Sequence, residues 1–397
     1  MLSRTADSLF WLARYMERAE NMARFVDMGR RMSAMPGSGP HCLTGHRQEW
    51  PAVLAATGCT VGYNELRWSD ERYAPLHETM ATIRYLLLEP SNASSVQSCF
   101  DGARFNARSV RGALTREMWE AVNDAWIQFR ALKPEEVNNG SLSPLLDWIK
   151  TSVSQFRGAA DGSALRNDGY EFLRLGFAVE RLDCIARLLD VKTAEALIQD
   201  DDGVSRRYRW VALLRAAGQL LAYHAHYRAD YSSARIADFL IKGSHSPRSL
   251  LHAALRAEEH LNALGALYGE RAGCMDEARA LTAHLRGADI EALLDDGLHA
   301  FLSEAIRLNT DLAAAIAESY HFGPARPTAQ AETQAEETEE AKAAARAAPP
   351  EPNGHDQRRQ DHQATNGAAQ RQSQSLDARL DGIGAGLSGV LSTSSPA

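Results

Sequence analysis

The stretch at residues 9–28, LFWLARYMERAENMARFVDM, recurs at 172–191 as FLRLGFAVERLDCIARLLDV. Set end to end, the two agree at Leu12/Leu175, Glu17/Glu180, Arg18/Arg181, Ala23/Ala186, Arg24/Arg187 and Asp27/Asp190, and Glu20/Asp183 keep an acid. Both copies space their apolar residues as a helix does. A chain carrying this pair must therefore build two helices that bring carboxylates and guanidiniums into oily surroundings. A buried ion costs several kcal/mol unless it is paired, so the charged strips need partners.

The two copies differ in how much of the helix is charged. On the first, Trp11, Leu12, Tyr15, Met16, Ala19, Met22, Ala23 and Val26 share one broad apolar face, and Arg14, Glu17, Glu20, Asn21, Arg24 and Asp27 fill the opposite arc. That arc has the pattern of a solvated face with Glu20 and Arg24 paired at i and i+4. On the second, Glu180, Asp183, Arg187 and Asp190 form a narrow strip flanked by Leu173, Phe177, Cys184 and Val191. A helix apolar on both sides of a charged strip reads as buried. Three readings of the strips stand open: an internal salt-bridge lattice, a ligand-binding cavity, or a partner-facing surface.

The likeness extends beyond these helices. Residues 86–96 and 239–250 both read as an apolar helix end, a turn and a serine-bearing helix start, with one extra residue in the second copy. Tandem duplication explains both correspondences. It predicts an all-α bundle of two helical halves, 1–160 and 161–323, packed as one unit, with the two ER helices adjacent, related by an approximate twofold axis, and Glu17 and Glu180 facing a shared interior. Asp168 and Glu171 read as a capping pair for the second ER helix. Long helices are expected at 94–114, 116–132, 142–157, 204–228, 246–268, 276–285 and 290–320. Pro and Gly mark a loop at 35–45, and residues 324–397 lack the apolar content to offset their ordering entropy, so a disordered tail is expected there, removable after Gly323 with little change in melting temperature.

Composition excludes several classes. A formal net charge of -8 argues against a general nucleic-acid binder. Only five of the 43 basic residues are lysine; this fits either bidentate recognition of carboxylates and phosphates or codon bias. Five scattered cysteines without a CxxC pair indicate neither a disulfide framework nor a zinc site. No run is long enough to span a membrane and no signal-peptide core is present, so a cytoplasmic setting is expected. P-loop, GxGxxG, GxSxG and HExxH motifs are all missing, and Glu318–His321 is a lone ExxH where di-metal bundles need two. No cofactor and no metal are expected.

Arg104, Arg108 and Arg111 recur at i, i+4 and i+7, close to Trp119 and Glu120. Three such guanidiniums need anions, either internal carboxylates such as Glu17 and Glu180 or a bound anion; otherwise they form a solvated basic face. Around Tyr227 and Arg228, His224 and His226 stand two apart and cannot share a helical face, which favours packing over metal chelation.

Taken together, SLFWLARYMERAENMARFVD, ATGC at 56–59, LLLEPSNASSVQSC, ARFNARSVR and REMWEAVN resemble the alpha-E family, all-helical proteins named for their ER motifs, over residues 1 to about 322. The resemblance implies as site residues Glu17, Arg18, Glu20, Asn21 and Arg24, then Arg108, Arg111, Trp119 and Glu120, then Glu180, Arg181 and Arg187. Phe105 stands where the family usually has Glu, and Ala93 and Gly243 where it usually has Pro. The resemblance also implies association with ATP-grasp carboxylate-amine ligases and transglutaminase-like proteins. It leads to the expectation of a helical accessory or binding component of an amide-bond-forming system, with Arg14, Asp183, Tyr227 and Arg228 added to its binding residues. Two alternatives stand beside it. One is an enzyme of peptide or acyl transfer with Glu17 or Glu180 as general base; the other is a pure scaffold. Oligomeric state is left open.

Overall fold

The computed structural model describes residues 1–34, 49–196, 203–228 and 230–323, so the loop expected at 35–45 and the tail expected from 324 lie outside the described residues. Among the described residues there are fifteen α-helices, two short 3-10 turns and no strand. In chain order the helices are α1 (Ser3–Ser33), α2 (Glu49–Ala56), α3 (Thr60–Ser69), α4 (Glu78–Leu88), α5 (Val96–Ser109), α6 (Arg116–Arg130), α7 (Leu142–Ser163) and α8 (Asp168–Ala196). They continue as α9 (Gly203–Ala216), α10 (Leu220–Tyr227), α11 (Ser233–Ile241), α12 (Leu250–Tyr268), α13 (Met275–Arg286), α14 (Ile290–Asp295) and α15 (Leu298–Ser319).

The starts of these helices follow from local chemistry. Ser95 and Ser249, the serines of the two turn segments, accept from the backbone N–H groups of Ser98 and His252 and open α5 and α12; Thr115 and Ser232 do the same for α6 and α11. Asp168 and Glu171 do not form the expected capping pair. Asn167 Oδ1 accepts from the Tyr170 N–H instead (3.2 Å), while Asp168 accepts from the Tyr268 hydroxyl (2.9 Å) and Glu171 meets His260 Nδ1 (2.6 Å). Both acids are drawn away by tertiary partners.

Two expected helices are each cut in two. The 204–228 segment breaks at Gly218 (φ +68°) between α9 and α10, and the 290–320 segment breaks at Gly297 (φ +104°) between α14 and α15. Only glycine adopts such angles without strain.

The ER helices lie at the centre. α1 packs most extensively on α8 and α5, then on α7 and α9; α8 packs in turn on α12 and α15. With neighbours on all these sides, the arc of α1 that reads as solvated is mostly covered: Glu17, Glu20, Asn21 and Asp27 are all buried. The 3.6-residue pattern locates a polar arc but not what packs over it. α1 and α8 run in the same direction, Leu9 lying beside Gly169, Phe10 beside Gly176 and Glu17 beside Arg181.

Gly176 sets how closely these helices approach. A Cβ there would run into the Phe10 carbonyl and lie 3.0 Å from the Ala13 methyl. Gly176→Ala is expected to cost about 1–3 kcal/mol through forced separation. Gly158→Ala on α7, with nothing within 4 Å of the added methyl, should instead stabilise by about 0.5–1 kcal/mol. Urea denaturation of the two variants checks the contrast. No helix among the described residues is long and apolar enough to cross a membrane.

Candidate functional site

Where α1 and α8 meet, each ER motif clamps the other. Arg181 Nε and Nη2 donate to Glu17 Oε1 and Oε2 at 2.7 and 2.9 Å; Arg18 Nε and Nη2 donate to Glu180 Oε1 and Oε2 at 2.5 and 2.9 Å. Both are two-point guanidinium–carboxylate pairs, the strongest geometry available to these groups. Glu17 and Glu180 thus face one interior, and their arginine partners exchange between the helices.

Each clamp is reinforced from outside the ER pair. Arg157 of α7 donates to Glu17 (2.7 Å) and to Glu20 (2.5 Å), and Arg248, just before α12, donates to Glu20 (2.5 Å) and lies 3.6 Å from Glu17. Arg24 completes the Glu20 set at 2.5 and 3.0 Å and also donates to the Ala216 carbonyl (2.9 Å). On the other side Arg14 joins Glu180 at 2.9 Å. Burial pushes Glu17 up, but Arg181, Arg157 and Arg248 outweigh it and hold the carboxyl well below its usual range. Against the same burial, Arg248 and Arg24 bring Glu20 to about 2, and Arg18 and Arg14 bring Glu180 to about 2. Burial lowers Arg248 to about 10 in spite of Glu20, which leaves it protonated at neutral pH.

The other acid of the strip has a different setting. Asp183 is 24% exposed where Glu20 is 1%, and its one ion pair among the described residues is with Arg187 (2.7 Å), whose Nη1 donates to the Ala56 carbonyl (3.3 Å). Asp183 and Arg187 border a cavity of about 240 Å3 that is also lined by Arg18, Asn21, Met22, Phe25, Thr57, Gly58, Ser94, Glu180 and Cys184. Asn21 is 4% exposed, and neither its Nδ2 nor its Oδ1 has a hydrogen-bond partner. A buried polar group left without a partner costs about 1–3 kcal/mol, so the Asn21 amide favours a hydrogen-bonding group in the cavity beside it. Burial pushes the Cys184 thiol far up, which leaves it protonated and unreactive.

Residues 1–321 match the Alpha-E family, described as a predicted alpha-helical domain with a conserved ER motif. The chain belongs to the Alpha-E family. Its similar relatives include an uncharacterized protein of Mycobacterium bovis and two of Mycobacterium tuberculosis strains, each 22% identical over 328 residues. The matches cover 76% of this chain but 35% of each relative, so the chain spans about a third of the length of these curated proteins. No solved structure matches it.

In this Alpha-E chain, the ER geometry gathers ten of the sixteen candidate binding residues: Arg14, Glu17, Arg18, Glu20, Asn21, Arg24, Glu180, Arg181, Asp183 and Arg187. The remaining six are not brought into it. Arg111 lies over the Trp119 ring (5.2 Å), Glu120 pairs with Arg116 (2.6 Å), and Arg108 is exposed. Arg104 stacks on Trp126 at 3.8 Å and donates to Asn123. The carboxylates of the ER helices are therefore not the counter-ions of this arginine series; the aromatic rings of α6 take up its cationic faces. Tyr227 donates to Asp238 (3.3 Å), and Arg228 is exposed with φ +57°. Arg157 and Arg248, central to the cluster, carry no mark in the sequence as ER partners. The one available signal was that Arg248 immediately precedes the capping serine of a turn segment.

A second recess, about 330 Å3 along α12 and α13, is lined by the exposed Asn262, Glu270, Arg271 and Arg279. It offers no group in the state of Asn21.

Proposed function

We propose that this Alpha-E chain is a binding component whose ER helices form two parts, a salt-bridge lattice that fixes the helices and, beside it, a small polar cavity that holds a ligand. The buried, unpaired amide of Asn21 at that cavity carries the reading. Among the buried side-chain atoms without partners, those of Asn21 are the ones that line this cavity. The family resemblance supports the setting, a cytoplasmic ATP-grasp amidoligase system, in which the ligand is an amino acid, a peptide or a peptidic group of the partner ligase.

Within this reading Glu17 and Glu180 are lattice groups. A carboxylate held near 2 with arginines on both oxygens is a weak proton acceptor at neutral pH. Beside Glu180 and its partner Arg18, the polar side chains that line the cavity include Asn21, Asp183 and Arg187.

Asn21→Leu tests the division. It replaces the unpaired amide by two methyl groups on the same branched skeleton, with the adjoining cavity to take their extra volume, and is expected to raise the stability of the protein by about 1–3 kcal/mol while abolishing binding. Thermal melts with and without a panel of amino acids and dipeptides, together with co-purification of the ATP-grasp ligase, provide the readout. A destabilised variant that still binds would remove the basis for the cavity as a site.

A further inference from the structure

The surroundings of Glu20 and of Asp183 repeat one another group by group. Arg24 donates through Nε to Glu20 and through Nη1 to the carbonyl of Ala216; Arg187 donates through Nε to Asp183 and through Nη1 to the carbonyl of Ala56. The loops bearing those carbonyls turn in the same way. Gly218 has φ +68° and Gly58 has φ +70°; Gly218 and Gln219 donate to Arg215 and Leu214 as Gly58 and Cys59 donate to Ala55 and Leu54. The residue before each neighbouring helix cap completes the frame: Arg248 before Ser249 on one side, Ser94 before Ser95 on the other.

Apart from Arg157, which reaches Glu20 from α7 and has no counterpart at Asp183 among the described residues, the difference is in the occupant. On the Glu20 side the Arg248 guanidinium reaches the carboxylates from the helix cap, 2.5 Å from Glu20 and 3.6 Å from Glu17. On the Asp183 side, Ser94 stops short, and the space ahead of it is the 240 Å3 cavity. The space beside the two glycines differs as well: a methyl on Gly218 would lie 2.8 Å from the Arg24 guanidinium, whereas one on Gly58 would meet nothing within 4 Å.

We propose that the cavity binds the guanidinium group of a small arginine-like ligand, in the place that the protein's own Arg248 guanidinium fills in the other half. This rests on the cavity being a binding site and names its ligand class. Asp183 is the carboxylate for that cation, as Glu20 is for Arg248, and Asn21 Oδ1 accepts a further N–H. The remaining lining donors, Asn21 Nδ2 and the Arg187 and Arg18 guanidiniums, suit a carbonyl or carboxylate on the same molecule. The volume lies below the roughly 300–1,000 Å3 of pockets for drug-sized ligands and fits one amino-acid-sized group. A guanidinium is not too much positive charge for such a frame, since Arg248 remains protonated beside Arg24 and Arg181.

Isothermal titration of the full chain with arginine, agmatine, an arginine capped at both ends, and glutamate and glutamine as comparison ligands tests the assignment. The guanidinium ligands should bind and the other two should not. Preference for free arginine identifies the amino acid as the source; preference for the capped form identifies a peptide side chain. Ser94→Arg supplies the missing guanidinium from within and should abolish binding, with circular dichroism verifying its fold. Asp183→Asn, at a partly exposed position, should weaken binding at least about tenfold. Guanidinium ligands that fail to bind, or that bind Asp183→Asn as they bind the unaltered chain, overturn the proposal. Binding of glutamate or glutamine alone, lost in Asn21→Leu, would overturn the guanidinium assignment and leave the cavity as a site; no binding by any ligand, with Asn21→Leu destabilised, would remove both.

Discussion

Acidification is expected to unfold this protein in two stages. Glu20 and Glu180 stand at about 2 in the folded chain against an ordinary 4.5. For an acid whose folded value is lowered, the stabilisation is complete above the unfolded value and is lost as pH falls through the window from 4.5 to 2. Each contributes about 3 kcal/mol at neutral pH, and Glu17, also lowered, adds to the same limb. The earlier stage belongs to His260. Burial, with Arg256 and Arg174 nearby, brings it to about 3 from 6.5. Arg256 Nη2 lies 3.1 Å from Nε2, which must then offer a lone pair, while Nδ1–H meets Glu171 at 2.6 Å. A histidine kept neutral stabilises fully above 6.5 and loses that contribution as pH falls, about 3 kcal/mol by pH 4.5. Urea midpoints measured from pH 7.5 to pH 3 should decline gently below 6.5 and steeply below 4.5, and Glu20→Gln should flatten the steep limb. A flat profile down to pH 3.5 would show that these carboxylates are not held as the structure places them.

The second large effect is at Glu17. Glu17→Gln keeps the shape and removes the charge, leaving Arg181, Arg157 and Arg248 around a neutral amide at a fully buried position. Breaking a buried pair from one side costs about 3–5 kcal/mol, and that loss is expected in the urea midpoint of the variant. Glu180→Gln should cost less, because it strands two arginines, Arg14 and Arg18, where Glu17→Gln strands three. Adding Arg248→Met to Glu17→Gln should recover part of the loss; in a double-mutant cycle the two changes should cost less together than in sum. Equal and small effects at Glu17 and Glu180 would argue against the lattice.

The sequence made the all-helical class and the recurrence of the charged strip legible, because a 3.6-residue period and a repeated ER pair are local patterns. It also placed a serine-bearing helix start after each turn segment, since a hydroxyl cap needs nothing beyond the next turn, but at 94 and 246, where Ser95 and Ser249 are the caps. The identities of the buried ion pairs were not legible in the same way. Arg157 and Arg248 reach Glu20 across 137 and 228 residues, and only tertiary approach decides which of 38 arginines does so. The polar arc of α1 looked solvated for the same reason: periodicity shows which residues share a face but not that α7, α8 and α9 cover it. The contrast between Arg248 and Ser94 is visible only once both helix caps are seen against the same frame.

The reciprocal clamps also set a timetable for the growing chain. α1 is made before α8, and Glu17 cannot meet Arg181, nor Arg18 meet Glu180, until over 160 further residues have been joined. Phe10 packs on Phe322, close to the end of the described chain. At roughly 5–20 residues per second, the face of α1 that α8 covers, with Glu17 and Arg18, waits about ten to thirty seconds for its counterpart, while α5 and α7 can cover other faces earlier. A helix that waits so long for its counterpart is a natural client for chaperones that shield nascent chains, and slowing translation between α7 and α8 would prolong its exposure.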